Sequence, residues 1–293
     1  MSTSKTIVFF GTDSFSLSAL KALIDNGYSI AAVITKPDSR SGRGQKLVSP
    51  AVKTLAEQHG ITVWQPTKVA GISEDIRALG PDVIGVLSSF GRIIPQSIID
   101  LFTPGILNVH PSLLPLYRGP SPIETSIING DTRTGTSLML LTAAMDAGPV
   151  YDQTVYPLNG TETQSQLYDV LANLGSALLL KHLPAIMSGN LAPSEQKGEP
   201  TYSRLLQKSD AHVDPKSDTA AFIERHVRAY EIFPKTKVDL FGHTLTVTSC
   251  HIGEAGIDEL ALTCADGTLV IDQLVAPSGR RVSGSDFLRG YNR

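Results

Sequence analysis

The chain opens with a short apolar run, Ile7-Val8-Phe9-Phe10, that stops at Gly11; from Ser14 to Ile24 the apolar positions then recur three and four apart. An uninterrupted apolar run ended by glycine reads as a strand buried on both faces, and the spacing after it reads as a helix with one apolar stripe. Residues 30–34, 62–64, 83–87 and 106–108 repeat the strand pattern, with helix-like stretches such as 51–59 between them. Strands that alternate with helices predict an α/β fold, a Rossmann-like doubly wound parallel sheet. Residues 136–141 and 150–155 read as two more strands, and 168–187 as the helix that closes this domain.

The pattern then changes. Ser188 to Pro200 is rich in glycine, proline and polar residues, which predicts a linker over 188–206. After a helical stretch at 219–229, apolar and polar residues alternate at 244–249, 259–263 and 268–274, with turn sequences Glu254-Ala255-Gly256 and Ala265-Asp266-Gly267 between them. Period-two alternation with short turns predicts a small antiparallel barrel. The expected organisation is a catalytic domain at 1–187 and a C-terminal β-barrel domain at 207–293.

Composition narrows the function classes. A chain of 293 residues with 41% hydrophobic and 18% charged residues fits two ordinary globular domains. The N-terminus is too polar and short for a signal peptide and no apolar run suggests a membrane span, so a cytoplasmic protein is expected. Cys250 and Cys264 fit no metal-binding spacing and are expected in a β-rich core, with no metal. No GxGxxG follows Gly11, which is expected to serve a tight turn, and Gly42-Arg43-Gly44-Gln45-Lys46 lacks phosphate-loop spacing; neither NAD nor ATP is expected. A net charge of −3 argues against general nucleic-acid binding, because counterion release needs clustered cations. One local cluster remains, a net +4 over residues 35–53 from Lys36, Arg40, Arg43, Lys46 and Lys53 against Asp38. Residues 208–293 hold 10 basic and 12 acidic residues, so a basic face there, with Lys208, Arg225 and Arg228 as candidates, competes with a merely solvated surface.

The chemistry concentrates in Asn108-Val109-His110-Pro111-Ser112-Leu113-Leu114-Pro115-Leu116-Tyr117-Arg118-Gly119 and in Asp146. Asn108 and His110 sit two apart at the carboxyl end of a predicted strand, so both side chains leave on one side, at the edge where open α/β sheets place their active sites. An amide donor beside an imidazole, with a carboxylate to orient it, suits an acyl transfer in which a carbonyl oxygen becomes an oxyanion. A lone histidine after a strand is more often a satisfied core group; Asn108 and the proline-stiffened loop that follows change that balance.

Asn-x-His-Pro-Ser-Leu-Leu-Pro-x-x-Arg-Gly, with the Asp of Met145-Asp146-Ala147-Gly148 downstream, resembles the 10-formyltetrahydrofolate-dependent formyltransferase family. Phe10-Gly11-Thr12-Asp13-Ser14-Phe15, Lys36-Pro37-Asp38 and Gly42 to Leu47 are similar to its tRNA-formylating members. The resemblance implies that 10-formyltetrahydrofolate is the formyl donor and that the acceptor is the amine of methionyl-initiator-tRNA, held by its acceptor stem. It implies catalytic roles for Asn108, His110 and Asp146. It also implies co-substrate contacts at Ser88, Phe90, Gly91, Ser112, Leu113, Leu114, Pro115, Arg118 and Gly119. Arg40, Arg43, Lys46 and Lys208 are the expected tRNA contacts, the second domain is expected to be OB-like with a tRNA-facing side, and a monomer is expected. Three departures from the family pattern are Pro149 after Gly148, Tyr230-Glu231-Ile232-Phe233-Pro234 in place of an aromatic, proline-rich segment, and a somewhat short C-terminal region, for which reduced tRNA contacts are expected. The rival readings are the same chemistry on an amino-sugar nucleotide or another small amine, and a non-catalytic folate- or RNA-binding protein.

Overall fold

The computed structural model describes residues 5–41 and 44–291. Nine strands and six helices come first: β1 Thr6–Gly11, α1 Ser14–Asp25, β2 Ile30–Ile34, β3 Ser39–Ser41, β4 Lys46–Val48, α2 Ala51–Gln58, β5 Thr62–Trp64, α3 Ser73–Ala78, β6 Val83–Ser88, α4 Gln96–Ile99, β7 Ile106–His110, α5 Pro122–Asn129, β8 Arg133–Leu140, β9 Val150–Pro157 and α6 Gln164–Met187. Then follow α7 Ala220–Ala229, β10 Lys237–Leu240, β11 His243–Ile252, β12 Ala261–Thr263, β13 Thr268–Val275, β14 Arg281–Ser283 and α8 Gly284–Tyr291. Two compact units divide the chain: residues 1–120, 134–156 and 168–202 form one, and residues 121–133, 157–167 and 203–293 the other.

In the first unit seven strands run in the order β5-β2-β1-β6-β7-β8-β9. The pairs from β5 to β7 are parallel and β7 pairs β8 antiparallel, so the expected doubly wound sheet carries an antiparallel edge. The strand order reverses between β1 and β6, the position where such sheets open a crevice beyond their carboxyl ends. Both faces of the central strands are buried. Val8, Phe10, Ile34, Val83, Leu87 and Ile106 pack with Ile72, Ile76, Ile98 and Phe102, while Ile7, Phe9, Val33, Ile84 and Val86 are fully enclosed as well. Burial on both faces is why the strands read as continuous apolar runs.

α6 is the longest element, and an 18-residue stretch of it has a mean hydropathy of 1.4. Length and composition alone would let it cross a membrane, which the apolar pattern of the sequence did not suggest. Here it is a core helix: Leu171, Leu178, Leu179, Leu183 and Ile186 are buried, and its Leu171 carbonyl accepts from Thr136 Oγ1 of β8. A Cβ at Gly175 would lie 2.4 Å from Val109 Cγ1 and 2.8 Å from Thr136 Cγ2, so only glycine lets the helix run this close to β7 and β8. Gly11 is likewise a close-approach glycine, because a Cβ there would lie 2.6 Å from Phe9 and from Ser16 Cβ. It has no positive φ, so close packing rather than a left-handed backbone accounts for the glycine.

In the second unit β10, β11, β13 and β12 pair in that order and β14 adds to β13, an antiparallel half-barrel. Its core joins Val238, Leu245, Leu262, Leu269 and Leu274 to Ile223 and Val227 of α7 and Phe287 of α8. Cys264 is buried in that core and Cys250 packs against it, as expected. Burial pushes the Cys250 thiol up to about 12.

Candidate active site

β7 delivers Asn108 and His110 as the sequence spacing requires. Asn108 pairs in register with Leu87 and Met139, and His110 with Ser137. Two residues apart on one strand, the side chains share a face, and each residue is only 5% exposed. The loop between β8 and β9 returns Asp146 to them. Its Oδ1 lies 3.5 Å from Asn108 Nδ2 and 3.8 Å from His110 Nδ1, while its Oδ2 accepts the Gly119 N–H at 2.8 Å. His110 Nε2 is 3.2 Å from the Tyr117 carbonyl. Only an N–H can serve that oxygen, and Nδ1 is the ring atom that faces the carboxylate.

The Ser112–Gly119 loop is held from beneath by a buried polar network. Ser137 Oγ accepts the Leu114 N–H at 3.1 Å and donates to the Ser112 carbonyl at 2.6 Å. Gln153 Nε2 reaches both Ser137 Oγ and the Leu114 carbonyl. Ser112 Oγ donates to the Leu116 carbonyl at 2.6 Å. Tyr117 and Asp146 sit at φ 56° and 46°, a region that costs a non-glycine residue energy unless its surroundings impose it.

This geometry sorts the expected co-substrate contacts. Ser88, Phe90, Ser112, Leu114, Pro115 and Gly119 are buried. Phe90 is 1% exposed and packs edge-on against Phe10 at 5.6 Å, so its side chain belongs to the core. Ser112 and Gly119 are spent on internal bonds, and Ser88 Oγ is buried with no partner. Gly91 is exposed, and Leu113 is partly so. Arg118, half-buried, is bound through Nε and Nη2 to Gln196 Oε1. The exposed apolar side chains of the neighbouring segments are Ile93, Leu116 and Met145.

The switch point between β1 and β6 is stitched with polar contacts of Thr12 and Asp13, residues of a segment the resemblance marked without giving either a role. Asp13 caps α1 through the Phe15 N–H and accepts from Ser89 Oγ and Tyr168 Oη. Thr12 Oγ1 donates to the Phe90 carbonyl. A groove of about 560 Å³ lies away from these residues, lined by Trp64, Pro66, Thr67, Lys68, Ile72 and Asp75. Arg92 crosses that side of the unit to the Pro66 and Thr67 carbonyls.

The basic segment forms the β3–β4 hairpin. Arg40 pairs with Leu47 and Ser41 with Lys46, so alternation puts Arg40 and Lys46 on opposite faces of the ribbon, both exposed. Arg43 lies outside the described residues. The base of the hairpin is clamped: Lys53 Nζ and Gln65 Nε2 both bind Asp38, and Gln65 also reaches the Lys36 carbonyl. In the second unit Lys208 is exposed in a short 3₁₀ turn. Arg225 and Arg228, by contrast, are engaged within their own unit, with the Ile128 carbonyl and with Glu224.

The segment expected to be a linker is not a free connector over its first part. Ser194 and Val150 exchange two backbone hydrogen bonds at 2.7 and 2.8 Å. Thr201 bonds to Pro115, Tyr117 and Arg118. Gln196, between these anchors, had no motif to mark it.

With an α/β sheet, a half-barrel and this polar cluster in view, the chain belongs to the formyl transferase family: residues 4–183 match the formyl transferase model and residues 205–292 its C-terminal domain. It is 37% identical to the methionyl-tRNA formyltransferase of Citrifermentans bemidjiense, over 99% of this chain and 94% of that one. It is 36% identical to the methionyl-tRNA formyltransferase of Halorhodospira halophila, over 97% and 96%. Among solved structures, the fold is similar to HypX from Aquifex aeolicus in complex with tetrahydrofolic acid, at a TM-score of 0.70 and 16% identity; the match takes in 99% of this chain but about half of HypX, 48%. It is also similar to an N-formyltransferase from Helicobacter canadensis, at a TM-score of 0.68 and 19% identity, over 91% and 98%.

Proposed function

We propose that this enzyme transfers the formyl group of 10-formyltetrahydrofolate to the amino group of methionyl-initiator-tRNA. The observation that carries the reading is the similarity to methionyl-tRNA formyltransferases along nearly the whole of both chains. The geometry suits the chemistry. An amine attacks the formyl carbon, the carbonyl oxygen gains negative charge, and the tetrahydrofolate nitrogen leaves.

In this scheme Asn108 Nδ2 donates to the developing oxyanion, and His110, when protonated, adds a second, charge-assisted donor. The Asp146 carboxylate orients both donors. Through water it takes the proton that the attacking nitrogen loses and returns one to the leaving nitrogen. Arg40, Arg43, Lys46 and Lys208 contact tRNA phosphates, with the acceptor stem as the expected docking site. The working state is a cytoplasmic monomer, with a catalytic domain at 1–187 and a tRNA-binding domain at 207–293. Gly91, Leu113 and Arg118 are the accessible candidates among the expected co-substrate contacts, beside exposed Ile93, Leu116 and Met145.

A second reading is formylation of an amino-sugar nucleotide, favoured by the fold shared with the Helicobacter canadensis enzyme, whose structure holds folinic acid and dTDP-3-aminofucose. The deciding experiment incubates the protein with 10-formyltetrahydrofolate and Met-charged initiator tRNA, Met-charged elongator tRNA or a dTDP-amino-sugar, and resolves formylated from free aminoacyl-tRNA on an acid gel. Formylation of the initiator alone is expected. Donor consumption with the sugar only would move the assignment to the second reading.

A further inference from the structure

Gln196 uses every hydrogen-bonding position of its amide. Nε2 donates to the carbonyls of Asp146 and Gly148, both at 2.8 Å, and Oε1 accepts from Arg118 Nε at 3.1 Å and Nη2 at 2.8 Å. Two donors meet two acceptors and the acceptor meets a guanidinium fork. Rotating the amide by half a turn would oppose oxygen to two carbonyls and nitrogen to the guanidinium, so the partners fix its orientation. The residue thereby joins three segments that chain order keeps apart: the loop after β7, the loop between β8 and β9, and the 194–202 segment.

We propose that Gln196 is a positioning residue that acts through Asp146. Three observations carry this. Asp146 holds a left-handed backbone conformation, φ 46°, and Gln196 Nε2 donates to its carbonyl and to the one two residues on. The Asp146 carboxylate stands 3.5 Å and 3.8 Å from Asn108 and His110, beyond a tight hydrogen bond, so a small shift of its loop decides whether it engages them. Its other oxygen is tied to the Gly119 N–H, in the same loop whose Arg118 the Gln196 amide holds. Gln196 therefore sets the separation of the two loops that bracket the carboxylate. Catalytic geometry is sensitive on this scale, since a displacement of about 1 Å can cost roughly 100-fold in rate.

The inference rests on the proposed role of Asp146, and the test separates the two. Steady-state formylation of methionyl-tRNA would be measured for wild type, Gln196→Met, Asp146→Asn and the double variant, with melting temperature and circular dichroism recorded for each. Gln196→Glu, which keeps the size and the acceptor for Arg118 but lacks both N–H donors, is run in parallel. Either Gln196 variant is expected to lower kcat roughly 10- to 100-fold, with KM for the formyl donor within about twofold and an unchanged fold. In the Asp146→Asn background the same change is expected to cost less than about twofold, because residues that act through one another are not additive. Full additivity, or wild-type turnover in both Gln196 variants, would overturn the proposal. Wild-type turnover in Asp146→Asn would instead overturn the role of Asp146 itself, and the proposal with it.

Discussion

His110 and His226 are almost equally buried, 5% and 4% exposed, yet their surroundings are opposite in kind. His226, on α7 in the second unit, is held on both ring nitrogens: Nδ1 lies 2.8 Å from Thr236 Oγ1 and Nε2 3.0 Å from the Asp210 carbonyl, with the Tyr230 ring edge-on at 4.3 Å. Burial, against the weaker pull of the Asp210 carbonyl, drives its pKa down to about 4. His110 has one partner at 3.2 Å and a second ring nitrogen 3.8 Å from a carboxylate. A histidine with tight partners on both nitrogens is a structural pin. One with a loosely placed nitrogen beside an acid keeps capacity in reserve for a reacting group, and burial alone does not tell the two apart.

The sharpest way to break this contrast is substitution of the two imidazoles. His110→Ala is expected to lower kcat by about 10²–10³, the typical effect of losing one oxyanion donor, while the melting temperature stays near wild type. A melting loss as large as that of the other histidine would erase the distinction. His226→Ala should do the reverse. It leaves Thr236 and the Asp210 carbonyl short of a partner and opens a cavity, a loss on the order of 3 kcal/mol by chemical denaturation, with turnover per folded molecule unchanged.

Acid sharpens the comparison further. Between about pH 6.5 and 4 the unfolded chain carries a proton on residue 226 that the folded chain resists. Stability is thus full above about pH 6.5 and falls as pH drops toward 4, by up to about 3 kcal/mol. His226→Gln should flatten that part of a pH–stability profile measured by denaturant midpoint.

Smaller effects probe the supports. Ser137→Ala leaves the Leu114 N–H and the Gln153 amide without their shared partner and is expected to cost about 1–3 kcal/mol, with a fall in kcat of about tenfold. An unchanged kcat would show that the loop does not need this network to hold its shape. Arg40→Ala and Lys46→Ala should be the mildest, each weakening tRNA binding a few-fold and lowering the salt slope by about 1. Their chemistry is one of screened surface charge, and turnover at saturating tRNA should not change.

What could be read from the sequence follows the same division. The strands of the main sheet were legible because burial on both faces leaves an unbroken apolar run, and the Asn108–His110 pair because a spacing of two on a strand fixes a shared direction. The β3–β4 hairpin left no mark, since Ser39 to Val48 carries no alternation of apolar and polar residues. Phe90 was ambiguous because an aromatic at a strand end is equally at home in a core and on a ligand. Gln196 lay hidden in a run of glycine, proline and polar residues whose composition speaks for a loop and whose hydrogen bonds depend on residues about 50 and 78 positions earlier. Composition reports what a segment can bury; it is silent on which carbonyls a folded neighbour will present.

The missing methyl group at Gly175 carries a consequence for how β7 is placed. A glycine within a helix sacrifices roughly 1 kcal/mol of local preference relative to alanine. Here that sacrifice sets a length, the gap between α6 and the back of β7. The strand bearing Asn108 and His110 is levelled from behind by a residue with no functional group, much as a shim levels an instrument bed. The tolerance of the whole site to error is therefore written partly in the one place where nothing protrudes.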